Sequence, residues 1–133
     1  MCARYTLRTT PKILAASLGV EDLPLFAPRF NVAPTQTVVA VRGRTDRPVR
    51  EAVLLRWGLI PSWAKDPGIG HKCINARADS VADKPAFRSA FQRRRCLVAA
   101  DGFYEWQQTG GQKQPWHFRM KGCRPFAFAG LWE

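Results

Sequence analysis

Cys96-Leu97-Val98-Ala99-Ala100-Asp101-Gly102-Phe103-Tyr104-Glu105-Trp106 is the stretch that decides the fold. An apolar run up to Ala100 reads as a strand, Asp101-Gly102 is a turn dipeptide, and the aromatic run after it reads as a second strand. Thr109-Gly110-Gly111 then fits a hairpin turn into a strand over 116–120. Working outward, residues 38–41 and 51–57 read as strands on either side of a polar, basic, solvent-exposed turn at 42–50. Residues 126–132 read as a buried strand. Thr10-Pro11 followed by Ile13, Leu14, Leu18 and Gly19 predicts a compact helix with a hydroxyl cap, proline in the first turn and a glycine stop. Phe87 and Phe91, four apart, predict a short helix beginning near Pro85. Residues 30–35 form a proline-punctuated loop. The long Gly-, Pro- and Trp-containing segment 58–75 is predicted to be an ordered, functional loop. Six short strands and a few helices without βαβ alternation predict one mixed α+β domain over 1–133, with a curled, barrel-like sheet.

Bulk properties bound the partners. With 133 residues, 46% of them apolar and five tryptophans, the chain is a folded globule rather than a disordered tail. Twenty-one Lys+Arg against ten Asp+Glu give +11, which points to nucleic acid or another anionic surface. No apolar run approaches the roughly 20 residues of a membrane span and no signal-peptide pattern opens the chain, so a cytoplasmic protein with reduced thiols is expected. Cys2, Cys73, Cys96 and Cys123 form no CxxC pair, and His71-Lys72-Cys73 is a lone HxC. No metal or cofactor is expected, and Cys96 reads as core. The sequence stops inside the apolar run 126–132, which reads as a fragment truncated at its C-terminus.

Three side chains carry the chemistry. Cys2 follows Met1, which is trimmed when the next residue is small. The exposed cysteine would hold an α-amine (pKa about 7.7–8.0) beside a thiol (about 8.5). Amine and thiol together capture an aldehyde, first as a Schiff base and then as a thiazolidine ring. Glu105 shares a strand face with Phe103, while Tyr104 and Trp106 take the other. A carboxyl group among aromatic rings suits proton transfer near neutrality, and an edge-strand glutamate equally suits pairing with an arginine. Asn75, where the long loop ends, can fix an aldehyde oxygen without titrating, or simply form a turn. Arg77 can reach a phosphate, and Arg4 places a cation near Cys2 that would lower its thiol pKa. Trp63 can stack on an unpaired base, whereas Trp57 reads as core.

Met1-Cys2-Ala3-Arg4-Tyr5, Phe30-Asn31-Val32-Ala33-Pro34, Trp57-Gly58-Leu59-Ile60-Pro61, Ile74-Asn75-Ala76-Arg77-Ala78 and Ala100-Asp101-Gly102-Phe103-Tyr104-Glu105-Trp106 together resemble the SOS-response-associated peptidase (SRAP) family. The resemblance implies an abasic-site sensor in which Cys2, freed of Met1, crosslinks to the ring-opened aldehyde in single-stranded DNA. Asn75 and Glu105 would be its active-site partners, with Glu105 also tied to removal of Met1. It further implies that Arg4, Arg77 and Trp63 contact DNA, and that Asn31 and Pro34 belong to a loop beside the site. Ala64 stands where some members carry a second tryptophan. The family's further histidine, in a His-Asp-Arg-like motif, would follow Glu133; His71 and His117 lack that context. The implied protein is a monomer bound to abasic single-stranded DNA at the nucleoid, with lyase-like and autoproteolytic chemistry. Read from the residues alone, a cysteine peptidase using Cys2 and a non-catalytic basic nucleic-acid module stay open.

Overall fold

The computed structural model describes residues 2–44 and 48–133. Met1, whose removal the aldehyde chemistry needs, and residues 45–47, inside the predicted 42–50 turn, lie outside the described residues. In chain order the elements are β1 (Arg4–Leu7), α1 (Pro11–Leu18), β2 (Arg29–Val32), β3 (Thr37–Gly43) and β4 (Arg50–Arg56). A 3-10 helix (Pro67–Lys72), α2 (Arg88–Arg93), β5 (Arg95–Ala100), β6 (Gly102–Thr109) and β7 (Gln112–Phe118) follow. A short 3-10 turn (Lys121–Cys123) leads into β8 (Phe126–Leu131). The curled sheet is built as two four-stranded antiparallel sheets, ordered β2-β1-β6-β7 and β4-β3-β5-β8, so the α+β class holds.

The differences from the sequence reading are local. β1 was not predicted, and β2 occupies the start of the predicted 30–35 loop. Both are four-residue strands ordered by pairing rather than by an apolar run, β1 between β2 and β6 and β2 against β1 alone. The 42–50 turn is tighter than predicted, because Gly43 already pairs with Arg50 and the Arg44 amide bonds the Val49 carbonyl. β7 starts at Gln112 instead of residue 116, extending the hairpin to the glycine turn. α1 follows prediction at Pro11 and at Gly19, which takes the left-handed conformation that favours glycine (φ 66°). The Thr10 hydroxyl makes no capping bond there.

Asp101 is not a simple turn residue but the corner where β5 of one sheet becomes β6 of the other. Its amide bonds the Thr6 carbonyl at 2.9 Å, and its buried carboxylate accepts from Thr6 Oγ1 (2.7 Å), Arg8 N (2.5 Å), Thr9 N (2.7 Å) and Thr9 Oγ1 (3.0 Å). This corner therefore ties the end of β1 and the approach to α1 to the junction of the sheets. The core lies between the sheets, where Leu14 and Leu18 of α1 meet Val32, Val39, Val41 and Ala99. Tyr5 packs edge-on to Phe128 and tilted against Trp57, and Phe103 packs on Phe126 and Phe128. Cys96 is buried as predicted, and burial pushes its thiol up to about 11.

Candidate active site at Cys2

The long loop is ordered, and two glycines let it fold back on itself. Gly58 has φ +125°, and a Cβ there would stand 2.6 Å from the Gly70 carbonyl oxygen. With the two backbones this close, the Leu59 amide reaches the Cys73 carbonyl (3.1 Å) and the Trp57 indole N–H reaches the Ile74 carbonyl (2.8 Å). Trp57 was assigned only to the core; the signal for its second role is the Trp57-Gly58 pair at the point where the chain reverses. This return places Asn75, whose Nδ2 donates to the Cys2 carbonyl at 2.7 Å. The amide therefore grips the main chain of the residue predicted to be the nucleophile.

Cys2 is half-buried and lines a cavity of about 650 Å³ together with Tyr5, Trp57, Asn75 and Phe128. Its thiol donates to the Arg4 carbonyl at 3.2 Å. Burial pushes the thiol up and the nearby Glu105 charge adds to the rise. Main-chain hydrogen bonds at Arg4 and Tyr104 pull it down, and the net shift is upward. The expectation that the Arg4 cation would lower the thiol pKa is not met. β1 turns the Arg4 side chain to Asn31, where Nη1 donates to Oδ1 at 3.2 Å.

Glu105 lies on β6 opposite Trp116, at a cleft of about 300 Å³ shared with Trp106, Gln107 and Phe118. Pro34 sits in a turn laced to Trp57, with Thr35 N donating to the Trp57 carbonyl (2.8 Å) and Trp57 N to the Gln36 carbonyl (2.9 Å). Hydrogen bonds thus link Asn75 to Cys2, Cys2 to Arg4 and Arg4 to Asn31, while Pro34 approaches only through its neighbours' bonds to Trp57. Trp63 is 59% exposed, and its indole N–H points to the Pro85 carbonyl at 3.5 Å. Arg77 is exposed and held bidentately by Asp79 at 3.2 and 2.6 Å. That pairing raises the guanidinium pKa and lowers the Asp79 carboxyl. Among the described residues no helix is long and apolar enough to cross a membrane.

The chain is 40% identical over 137 residues to the abasic site processing protein YoaM of Bacillus subtilis, covering 100% of this chain and 60% of that relative. It is 36% identical over 106 residues to the abasic site processing protein HMCES of Xenopus tropicalis, covering 72% and 32%. A crystal structure of a Bacteroides thetaiotaomicron protein superposes with a TM-score of 0.80 at 25% identity, over 98% of this chain and 61% of the other. One from Bordetella bronchiseptica gives 0.79 at 25%, over 99% and 64%. The chain thus spans about 60% of the length of its bacterial relatives. The family model for SOS response associated peptidases matches residues 1–133, and the chain belongs to that family (SRAP).

Proposed function

We propose that this chain captures abasic sites in single-stranded DNA as a covalent thiazolidine crosslink through Cys2, shielding the lesion from strand cleavage. The observation that carries the reading is the grip of Asn75 on the carbonyl of Cys2, which lines the cavity described above. Hydrolysis of the Met1–Cys2 peptide bond, the autoproteolytic step, frees the α-amine. The amine adds to the aldehyde of the ring-opened deoxyribose, and loss of one water gives the imine. The Cys2 sulfur then adds to the imine carbon, its proton passes to the nitrogen, and the ring closes. Holding the thiol beside the imine makes closure unimolecular. In this reading Glu105 moves the protons, and Asn75, bonded to the Cys2 carbonyl, fixes the residue that carries both nucleophiles. Arg4, Arg77, Asn31, Pro34 and Trp63 are the proposed DNA contacts. A net charge of +11 favours phosphate contacts that read the lesion without regard to sequence. The proposed working form is a cytoplasmic monomer that joins the nucleoid when bound to DNA.

The test incubates the Met1-processed chain with a single-stranded oligonucleotide carrying one abasic site. A denaturation-resistant adduct without added reductant is expected, absent in Cys2→Ala, with Cys2→Ser giving only an imine that borohydride must trap. Salt-sensitive binding without an adduct would replace this reading with a binding module, and cleavage of a peptide in trans would replace it with a peptidase.

A further inference from the structure

One face of the sheet β2-β1-β6-β7 packs on the core; its other face carries a row of side chains outside the Cys2 cavity. Arg4 pairs with Tyr104, and Tyr104 pairs with His117, so the three stand abreast across β1, β6 and β7. Asn31 on β2 extends the row through its bond to Arg4. The Tyr104 and His117 rings stack at 4.7 Å and 25°, and the Tyr104 hydroxyl donates to the Phe30 carbonyl at 3.1 Å. Trp106 continues the aromatic surface 6.4 Å from Tyr104.

His117 is exposed yet fixed. Its Nε2 lies 3.3 Å from Thr6 Oγ1, whose own hydrogen goes to Asp101 Oδ1 at 2.7 Å. Thr6 can therefore only accept from His117, which assigns the Nε2–H tautomer. The ring lies where a Gly102 side chain would be, since a Cβ there would stand 2.3 Å from Nε2. A larger residue at this corner would have to displace the imidazole. Arg119 and Arg8 both act electrostatically on the ring, and Arg4 stands two strands away in the same row. The platform begins beside Cys2, because the Cys2 thiol bonds the Arg4 carbonyl.

We propose that the Tyr104–His117 ring pair is a stacking ledge for an unpaired base of the DNA strand that enters the Cys2 site, with Arg4, Arg8 and Arg119 taking its flanking phosphates. Aromatic rings interleaved with guanidinium groups suit single-stranded nucleic acid, whose bases stack irrespective of sequence. The assignment rests on the reading of Cys2 as an abasic-site crosslinker.

The test measures affinity for an undamaged oligothymidine by fluorescence anisotropy, with abasic-site crosslinking by the wild type in parallel. His117→Ala is expected to weaken binding roughly tenfold, and His117→Phe, which keeps a ring, to stay within about twofold. Arg119→Ala is expected to lower the salt slope by about one. Photocrosslinking of the wild-type chain to a bromodeoxyuridine oligonucleotide should map to Tyr104 or His117. The ledge is overturned by wild-type affinity in His117→Ala, by an equal loss in His117→Phe, or by photoadducts confined to other surfaces. If the ledge results hold and no abasic adduct forms, the Cys2 reading fails and the ring pair is left as a single-strand contact with no role in leading DNA to Cys2, which overturns the assignment; the reverse pattern removes only the ledge.

Discussion

Asp101→Ala removes the group that holds the corner between the two sheets. Asp101 is 2% exposed, and three donors, Arg8 N, Thr9 N and Thr9 Oγ1, converge on its Oδ2 while Thr6 Oγ1 bonds Oδ1. Arg8 Nε stands 3.6 Å from Oδ1. Alanine leaves two main-chain N–H groups without their acceptor and the Arg8 guanidinium without its counter-ion. Hydrogen bonds to a charged group are worth about 1.5–3 kcal/mol each, but part-exposed donors regain water, so the loss is about 3–5 kcal/mol rather than their sum. At about 3 °C per kcal/mol for a chain of this size, the melting point falls by about 10–15 °C. Asp101→Asn separates charge from shape: its oxygen keeps the three donors, its Nδ2 turns to Thr6, and the Thr6 hydrogen turns to His117. It is expected to cost about half as much. Burial pushes the Asp101 carboxyl up, but the hydrogen bonds from Thr6, Arg8 N and Thr9 outweigh it and hold the group below the usual carboxylate range. A depressed folded pKa contributes stability in full above the unfolded value of about 3.9 and loses it as pH falls through the folded one. Urea unfolding, followed by tryptophan fluorescence from pH 7 to 3, should therefore show the gap between wild type and Asp101→Ala closing below about pH 4. A gap under about 1 kcal/mol at neutral pH, or one unchanged at pH 3, refutes the assignment.

Gly58→Ala is expected to cost about 3 kcal/mol, since its Cβ meets backbone and φ is +125°. It should also lower adduct yield by displacing Asn75; Gly43→Ala, with nothing within 4 Å, is the control and should unfold at the wild-type urea midpoint. The raised Cys2 pKa means that thiolate is scarce at neutrality. If thiolate attack limits ring closure, its rate should keep climbing as pH rises past about 8.5, and a plateau below pH 8 in stopped-flow capture of a model aldehyde would contradict this. Asp79→Ala releases Arg77 from its bidentate partner, so affinity for single-stranded DNA should rise severalfold at low salt and less at high salt. Unchanged or weaker binding would remove Arg77 from the proposed DNA contacts.

The legible parts of this protein are those encoded by neighbouring residues. β3, β5 and β8 are apolar runs, and α1 carries proline at its start and glycine at its end, so sequence suffices for them. β1 and β2 include the polar residues Arg4, Thr6 and Asn31 within four residues each, too short and too polar for a period-two pattern to emerge. The site shows the same division. Asn75 was readable as an amide at a loop end, but its partner is 73 residues away and is a main-chain carbonyl, which no side-chain pattern records. Arg4 was read by proximity as a cation for the thiol. Strand alternation sends its guanidinium to Asn31 and leaves only its carbonyl with Cys2. Register produces that reversal, and it also makes a surface of Arg4, Tyr104 and His117, which are scattered over more than a hundred residues of sequence. A one-residue slip of β6 against β1 would turn Tyr104 inward and Glu105 outward, exchanging the ledge for the carboxylate. The Asp101 corner and its bonds to Thr6 stand against that slip, so a residue with no part in the proposed chemistry holds the register on which it depends.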